Sequence, residues 1–145
     1  MNKIENIIHV FTDGSCDPNP GKGGWAAVIL NNGREDTMVG SEDFTTNNRM
    51  ELAAALNALK RMTLEKPVHV HTDSQYLQKG ITEWLPQWKS RGWKRKGGVL
   101  ANLDLWQELD AQLSRLNITW HWVRGHAGNK YNEKANWLAQ AQIRK

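Results

Sequence analysis

Apolar and β-branched residues occur in short runs separated by polar stretches, and their spacing predicts both strands and helices. Residues 7–11 form an apolar run with the length and composition of a central strand. A second apolar run, residues 26–30, leads into the hairpin turn signal Asn-Asn-Gly-Arg at 31–34, and residues 35–44 read as a more polar third strand. These three segments are expected to pair in antiparallel fashion.

Two predicted strands end at an aspartate. The first is expected to stop at Asp13, because residues 14–21 are a cluster of turn formers. The second is the alternating segment 68–72, which is followed by Asp73. An Asp-Gly after a strand is more often only a turn. However, a parallel pair of strands would bring both ends together, so the repetition favours a shared site.

Helical spacing appears in three longer segments. Residues 45–48 offer N-cap candidates before a helix with a buried stripe, and Lys60 and Arg61 suit its C-terminus. Ser74 is expected to cap a short helix, Asn102 a longer one, and a last helix begins near Asn132. The stripes comprise Leu52, Ala55, Leu56 and Leu59, then Trp106, Leu109, Leu113 and Leu116, then Ala135, Leu138 and Ala139. Between the last two helices, residues 118–123 alternate as a strand.

Glu51 lies beside the apolar stripe of the first helix. A lone carboxylate there would be costly unless it were paired or metal-bound; the alternative is that it reaches solvent. If Asp13, Glu51 and Asp73 converge, their mutual repulsion is most simply relieved by Mg²⁺ or Mn²⁺ with oxygen ligands.

Composition narrows the classes of protein. The 145 residues suit one domain, and no apolar run approaches the roughly 20 residues of a membrane span, so the cytoplasm is the expected location. Cys16 is the single cysteine, which excludes an internal disulfide and a cysteine metal cage. The net charge of +4 suits a polyanionic partner.

The positive charge and the tryptophans coincide in residues 84–96. No acid occurs between Glu83 and Asp104. Aromatic planes beside cations are typical of a nucleic-acid surface, whereas the alternative is a helix with buried tryptophans and a solvated basic face. Together, the acids and this segment make metal-dependent phosphodiester hydrolysis the leading hypothesis.

Four segments in this order resemble the type 1 ribonuclease H family, as found in bacterial ribonuclease HI. They are Phe-Thr-Asp-Gly-Ser-Cys at 11–16, Thr-Thr-Asn-Asn-Arg-Met-Glu-Leu at 45–52, Thr-Asp-Ser-Gln-Tyr at 72–76 and Trp-Val-Arg-Gly-His-Ala-Gly-Asn at 122–129. The resemblance implies an α/β RNase H-like fold, with a mixed five-stranded sheet flanked by helices and a basic protrusion. It implies one catalytic domain over residues 1–145.

The resemblance also implies an activity and its residues. The family hydrolyses the RNA strand of RNA/DNA hybrids with two Mg²⁺ or Mn²⁺ ions and leaves 5′-phosphate and 3′-hydroxyl ends. Asp13, Glu51 and Asp73 match three of its four metal-binding carboxylates, and His126 matches a loop histidine that assists proton transfer or product release. The matching hybrid-binding residues are Asn19, Thr46, Asn47 and Gln75, and, on the protrusion, Trp84, Trp88, Lys89, Arg91, Trp93 and Lys94. A monomer without an obligate protein partner is expected.

The chain departs from the family at the fourth carboxylate, where it has Asn136. An amide keeps an oxygen ligand but loses the charge, so weaker metal binding is expected at that position. A natural active variant is favoured, and an engineered Asp to Asn change, a hybrid-binding protein with lost catalysis and a plain surface residue are the alternatives.

Overall fold

A computed structural model describes residues 6–94, 101–124 and 129–144. These residues form a five-stranded sheet with the strand order β3-β2-β1-β4-β5. The strands are β1 (Ile8–Cys16), β2 (Gly21–Asn31), β3 (Arg34–Thr45), β4 (Val68–Thr72) and β5 (Ile118–Trp122). β1, β2 and β3 pair in antiparallel fashion, whereas β4 is parallel to both β1 and β5. The predicted mixed five-stranded sheet is therefore confirmed.

β1 runs three residues beyond its predicted end at Asp13, so that prediction was wrong. Gly14 pairs with Trp25, and Cys16 pairs with Gly23, because the glycine-rich start of β2 continues the antiparallel ladder. The parallel pairing of β1 with β4 does stop earlier, at Phe11. Asp13 consequently lies past the last residue pair of the parallel ladder, where the ends of two strands still meet.

The helices flank this sheet. They are α1 (Asn47–Lys60), α2 (Gln75–Lys79), α3 (Leu85–Ser90), α4 (Leu103–Arg115) and α5 (Lys130–Ile143), with a π-helical segment, Gly80–Trp84, between α2 and α3. The expected caps of α1 and α2 are confirmed: Thr46 Oγ1 accepts a hydrogen bond from Arg49 N–H, and Ser74 Oγ accepts one from Leu77 N–H. None of the helices in the described part of the chain has the length and apolar character needed to cross a membrane.

Two helix starts differ from the expectations. Asn102 precedes α4 with a φ of 60° and makes no side-chain cap; its side chain instead donates to Tyr76 Oη and accepts from Arg49. α5 begins at Lys130 rather than near Asn132, because Asn129 Oδ1 caps it by accepting from two backbone N–H groups.

The two faces of the sheet are covered unequally. On one face α1 and α4 bury the main core, which includes Val10, Val70, Leu52 and Trp106. On the other face α5 packs on β1 and β2, where Phe11, Val28 and Ala135 form a smaller cluster. A side chain at Gly24 would overlap the backbone of α5 at Ala139, so α5 lies directly on β2.

Candidate active site

The three acids picked out from the sequence meet at one end of the sheet. One ligand oxygen from each of Asp13, Glu51 and Asp73 lies within 4.8 Å of the others. They line an open cleft of about 390 Å³, whose other walls are formed by Gly14, Ser15, Asn47, Asn48, Ser74, Gln75, Tyr76 and Asn136. The convergence predicted from two strand ends and a helix start is present in the structure.

A glycine brings the strand and the helix together. A Cβ at Gly14 would overlap the backbone of α1 at Met50 and Glu51, so only a residue without a side chain lets the backbones approach this closely. Gly14 N–H also donates a 2.9 Å hydrogen bond to Asp13 Oδ1. Asp13 and Glu51 therefore face each other because two backbones touch, while Asp73 follows directly from the end of β4.

The electrostatics of the acids suit a cation. Glu51 Oε2 is shielded from solvent and has no hydrogen-bond partner. The pKa of Glu51 is raised well above its usual value, first by burial and then by the charges of Asp13 and Asp73. A shielded carboxylate oxygen beside two further acids supplies the hard oxygen ligands that Mg²⁺ and Mn²⁺ prefer. The residues present therefore fit a divalent metal.

Asn136 reaches the same cleft from α5. It is half-buried, and its Oδ1 accepts a 3.3 Å hydrogen bond from Gln140 Nε2 one turn later. Its position beside the acids suits a neutral oxygen ligand better than a plain surface residue. Its part in metal binding stays a prediction.

Two of the predicted substrate-facing polar residues line the cleft, and the other two lie next to one of them in the sequence or by a hydrogen bond. Asn47 and Gln75 line the cleft, and Thr46 caps the helix that Asn47 begins. Asn19 Oδ1 accepts a 3.2 Å hydrogen bond from Asn47 N–H, which ties the loop after β1 to the start of α1. The backbone thus groups Asn19, Thr46 and Asn47, and Gln75 lines the cleft from the start of α2; contact with a substrate remains a prediction for each.

The tryptophans of the basic segment are partly engaged in packing. Trp88 lies with its ring centroid 5.5 Å from that of Trp106 in an edge-on contact, and Trp84 lies 5.8 Å from Trp88. Trp88 and Trp93 pack against the main core, and all three tryptophans of the segment are half-buried. Both interpretations, a nucleic-acid surface and a helix with buried tryptophans, therefore describe part of this segment. Its tryptophan rings pack against other aromatic rings and remain partly exposed.

The cations of this segment are exposed. Lys89 Nζ makes a 3.2 Å ion pair with Asp110, an acid that α4 supplies from outside the acid-free stretch. Arg91 and Lys94 are exposed as well. Residues 95–100, at the end of the predicted basic stretch, lie outside the described residues, and so does His126.

Sequence reasoning missed Tyr76 and Arg49. Tyr76 lines the cleft, and its hydroxyl accepts hydrogen bonds of 3.1 Å from both Asn102 Nδ2 and Trp106 Nε1. Arg49 pairs with Asp104 at 2.8 Å, and this pairing raises the pKa of Arg49 and lowers that of Asp104. Both residues lie inside the segments that carry the family resemblance, which was the available signal.

Comparison with known proteins decides the family. The RNase H family model matches residues 5–144. The chain belongs to the RNase H family. A ribonuclease H of Nitrosococcus oceani is 53% identical over 143 residues, covering 97% of this chain and 96% of that protein. The ribonuclease HI of Pseudomonas aeruginosa is 51% identical over 144 residues, covering 99% and 97%.

A solved structure supports the same assignment to the RNase H family. The crystal structure of LC9-RNase H1, a type 1 RNase H with the type 2 active-site motif, superposes with a TM-score of 0.83 at 34% identity. The match covers 99% of this chain and 74% of that one. The chain is accordingly an enzyme, a nuclease of the RNase H family, and its acid cluster is the candidate active site.

Proposed function

We propose that this enzyme is an endonuclease that hydrolyses the RNA strand of RNA/DNA hybrids. The observation that carries the proposal is the convergence of Asp13, Glu51 and Asp73 within 4.8 Å in a cleft that Asn136 also lines. Membership of the RNase H family and relatives named ribonuclease H at about half identity support the hybrid as substrate.

The side chains of the cleft would hold two divalent ions, Mg²⁺ or Mn²⁺. Asp13, Glu51 and Asp73 supply charged oxygens, and Asn136 supplies a neutral amide oxygen. In such a site two ions activate the attacking water and stabilise the leaving oxygen. The neutral Asn136 lowers the negative charge of the cleft by one relative to four acids, so we expect a higher metal concentration to be needed for full occupancy.

Hydrolysis is expected to leave 5′-phosphate and 3′-hydroxyl ends. The water oxygen bonds to phosphorus as the bond from phosphorus to the 3′ oxygen breaks, and that oxygen takes a proton. His126, in the segment 122–129 that resembles the family's histidine loop, is proposed to assist this proton transfer or the release of product.

The rim of the cleft would bind the sugar-phosphate backbone of the substrate. Asn19, Thr46, Asn47 and Gln75 offer hydroxyl and amide groups suited to phosphates and 2′-hydroxyls, and 2′-hydroxyl contacts distinguish RNA from DNA. On the α3 side, Lys89, Arg91 and Lys94 would contact phosphates of the DNA strand, with the exposed edges of Trp84, Trp88 and Trp93 beside them.

A second function is favoured by one observation, the uncharged side chain at position 136. A chain that binds hybrids and has reduced or lost catalysis would keep the rim and the basic segment unchanged. The two functions differ in turnover, since a binding protein holds the hybrid without cutting it at any metal concentration.

The deciding experiment is cleavage of a hybrid labelled on each strand, across Mg²⁺ and Mn²⁺ concentrations, with duplex DNA and EDTA as controls. Metal-dependent cutting of the RNA strand alone, with 3′-hydroxyl products, is expected. Tight binding without cutting in either metal would overturn the nuclease proposal in favour of the binding function. Cutting of duplex DNA at a similar rate would overturn the hybrid specificity.

Hybrid binding by the basic segment has its own test. Replacing Lys89, Arg91 and Lys94 by Ala should weaken hybrid binding about tenfold near physiological salt. It should also make the negative slope of log affinity against log salt shallower, by about two to three. Replacing Arg34, Lys60 and Arg61 by Ala removes the same charge elsewhere and should change the slope by less than one. Equal slopes for both variants would assign the effect to net charge alone.

We also propose that the chain acts as a single-domain monomer in the cytoplasm. The buried thiol of Cys16, the one cysteine of the sequence, suits a reducing compartment. Sedimentation equilibrium at micromolar concentration checks the monomer, and a dimer at that concentration would contradict it.

A further inference from the structure

Four of the five histidines of the chain lie together on one face of the sheet, outside the acid cleft. His9 on β1 is aligned with His69 on β4, and His71 on β4 is aligned with His121 on β5. This is the face on which α5 packs, because Val10, Val68 and Val70 at the alternate positions point into the main core. Three adjacent strands thus place their histidines side by side.

The four imidazoles form a closed ring of contacts. His9 Nδ1 lies 3.0 Å from His71 Nε2, and His69 Nδ1 lies 2.7 Å from His121 Nε2. The rings of His71 and His121 stack with centroids 4.4 Å apart, and those of His9 and His69 meet at 5.5 Å. The cluster therefore contains two nitrogen pairs, which we call the His9/His71 pair and the His69/His121 pair.

Neither the core nor the proposed nuclease chemistry accounts for this cluster. All four histidines are half-buried, so they do not belong to the fully buried core. Phe11, which belongs to the smaller apolar cluster under α5, stacks on His71 with ring centroids 4.4 Å apart, so the histidines lie beside that cluster. A sheet surface that served packing alone would carry apolar side chains at these central positions.

The nitrogen separations suit a particular class of ligand. At a metal–nitrogen distance of roughly 2.0 to 2.1 Å, separations of 3.0 and 2.7 Å subtend angles of about 95° and 80° at the metal. Angles near 90° are those of neighbouring ligands in a square-planar or tetragonal site, which Cu²⁺ and Ni²⁺ prefer, whereas tetrahedral Zn²⁺ needs wider separations. Imidazole is also a ligand of choice for these ions.

We propose that the four-histidine cluster binds a divalent transition metal, Cu²⁺ or Ni²⁺, through its two nitrogen pairs. Each pair supplies two adjacent ligands, and water completes the coordination. Within the described residues the acid triad is the one group of three or more metal-ligating side chains whose ligand atoms converge, so the histidines are proposed to bind as pairs and not as a preformed set of three. On binding, the proton shared within a pair leaves the facing nitrogen, and the other ring nitrogen of that imidazole takes one from solvent.

Two bound dications would repel each other across neighbouring pairs, so one ion is expected to bind strongly per cluster. Because each pair joins two neighbouring strands, β1 with β4 or β4 with β5, that ion would also link two strands that are far apart in the sequence. Binding to the folded state alone raises the melting temperature in proportion to the logarithm of the metal concentration.

The test is a titration of the metal-free protein with CuSO₄, followed by electron paramagnetic resonance, in which nitrogen ligands give hyperfine splitting. The wild-type chain should bind one strong Cu²⁺ with nitrogen coordination. The double variant His9→Asn, His121→Asn removes one ligand from each pair and should bind at least tenfold more weakly. Each single variant keeps one complete pair and should bind within about threefold of wild type.

Two controls separate this site from others. Asp13→Asn with Glu51→Gln disables the acid cleft, and His126→Asn removes the remaining histidine; both should retain the strong nitrogen-coordinated Cu²⁺. Circular dichroism checks that the double variant folds, and if it does not, the two single variants together with His69→Asn, His71→Asn serve in its place. Unchanged affinity in a folded variant lacking both pairs, loss of binding in the acid-cleft variant, or no strong Cu²⁺ in wild type would each overturn the proposal.

Discussion

β1 and β4 contribute residues to both clusters of titratable side chains, the acids and the histidines, and burial shifts the pKa values of the two clusters in opposite directions. Residues 9, 11 and 13 alternate along β1, and 69, 71 and 73 along and just past β4, so histidines and acids follow each other two residues apart. The pKa of Glu51 in the acid cleft is raised well above its usual value. The pKa of His71 is lowered to about 4, first by burial and then by His121, His9 and His69.

The difference shows that burial disfavours the charged form of acids and bases alike. Whether the side chains offer oxygen or nitrogen atoms then decides which partner can stabilise them. Three ionised carboxylates repel one another, and a hard cation relieves that repulsion. Imidazole nitrogens can donate or accept hydrogen bonds, and the two nitrogen pairs are joined at 3.0 and 2.7 Å. The same two strands thereby support an oxygen site and a nitrogen site with separate metal preferences.

The sharpest way to separate the clusters is to remove one ligand from each. Asp13→Asn should lower hybrid cleavage by about a thousandfold, because loss of a metal-binding charge removes several kcal/mol of transition-state stabilisation. His121→Asn should leave cleavage within about twofold. Single-turnover cleavage at saturating Mg²⁺ measures both, and a large loss in His121→Asn would mean that the clusters act as one unit.

Asn136→Asp enlarges the acid cluster without touching the histidines. A fourth charge should lower the Mg²⁺ or Mn²⁺ concentration for half-maximal cleavage by about tenfold, and in the metal-free protein it should lower stability through added repulsion. The neighbouring exposed change Lys134→Gln is a charge control on the same helix. If Asn136→Asp alters neither the metal requirement nor the rate, position 136 does not serve the metal.

Glu51→Gln tests the cost of the shielded charge. Because the folded pKa of Glu51 is raised, the carboxylate destabilises the metal-free protein increasingly as pH rises above its ordinary value of 4.5. The free energy of unfolding of the variant should therefore be about 2 kcal/mol higher than that of wild type at pH 7.5 in EDTA. The exposed Glu65→Gln should change little, and equal stabilisation by both variants would point to net charge instead.

His71 should make stability depend on pH in the opposite direction, and the effect should be smaller than that of Glu51. The variant His71→Gln tests this. Above pH 6.5 His71 is neutral in both states; as pH falls from 6.5 to about 4, the unfolded chain takes up a proton that the folded chain refuses, so stability declines. Allowing for its half exposure, this contributes about 1 kcal/mol. Urea unfolding at pH 7.5 and 4.5 should show a smaller loss for His71→Gln than for wild type.

Short-range patterns predicted most of the fold. The α1 stripe, the Thr46 and Ser74 caps and the alternation of residues 68–72 are local, and each is present. The end of β1 was misjudged because Gly14 and Ser15 are turn formers in isolation, and their pairing with β2 depends on the partner strand. Asn102 was expected to cap α4 but instead bonds to side chains from distant elements.

Of the two sites, one could likewise be predicted from local patterns and the other could not. The acids could be predicted because each follows a recognisable local signal, a strand end or a helix start. The histidine cluster could not, because it depends on the register of three strands that are 52 to 62 residues apart at the nitrogen pairs. A single histidine within an alternating segment carries no indication of what lies beside it.

The missing side chain at Gly14 finally bears on how quickly the cleft fills with metal. Since the backbones of β1 and α1 touch there, Asp13 and Glu51 begin close together, and we expect little backbone rearrangement on loading. Loading by Mg²⁺ would then be limited by the slow loss of the water that this ion holds tightly. Loading with the more readily dehydrated Mn²⁺ should be faster. The rate of loading would then be set by dehydration of the ion and not by a conformational change of the protein.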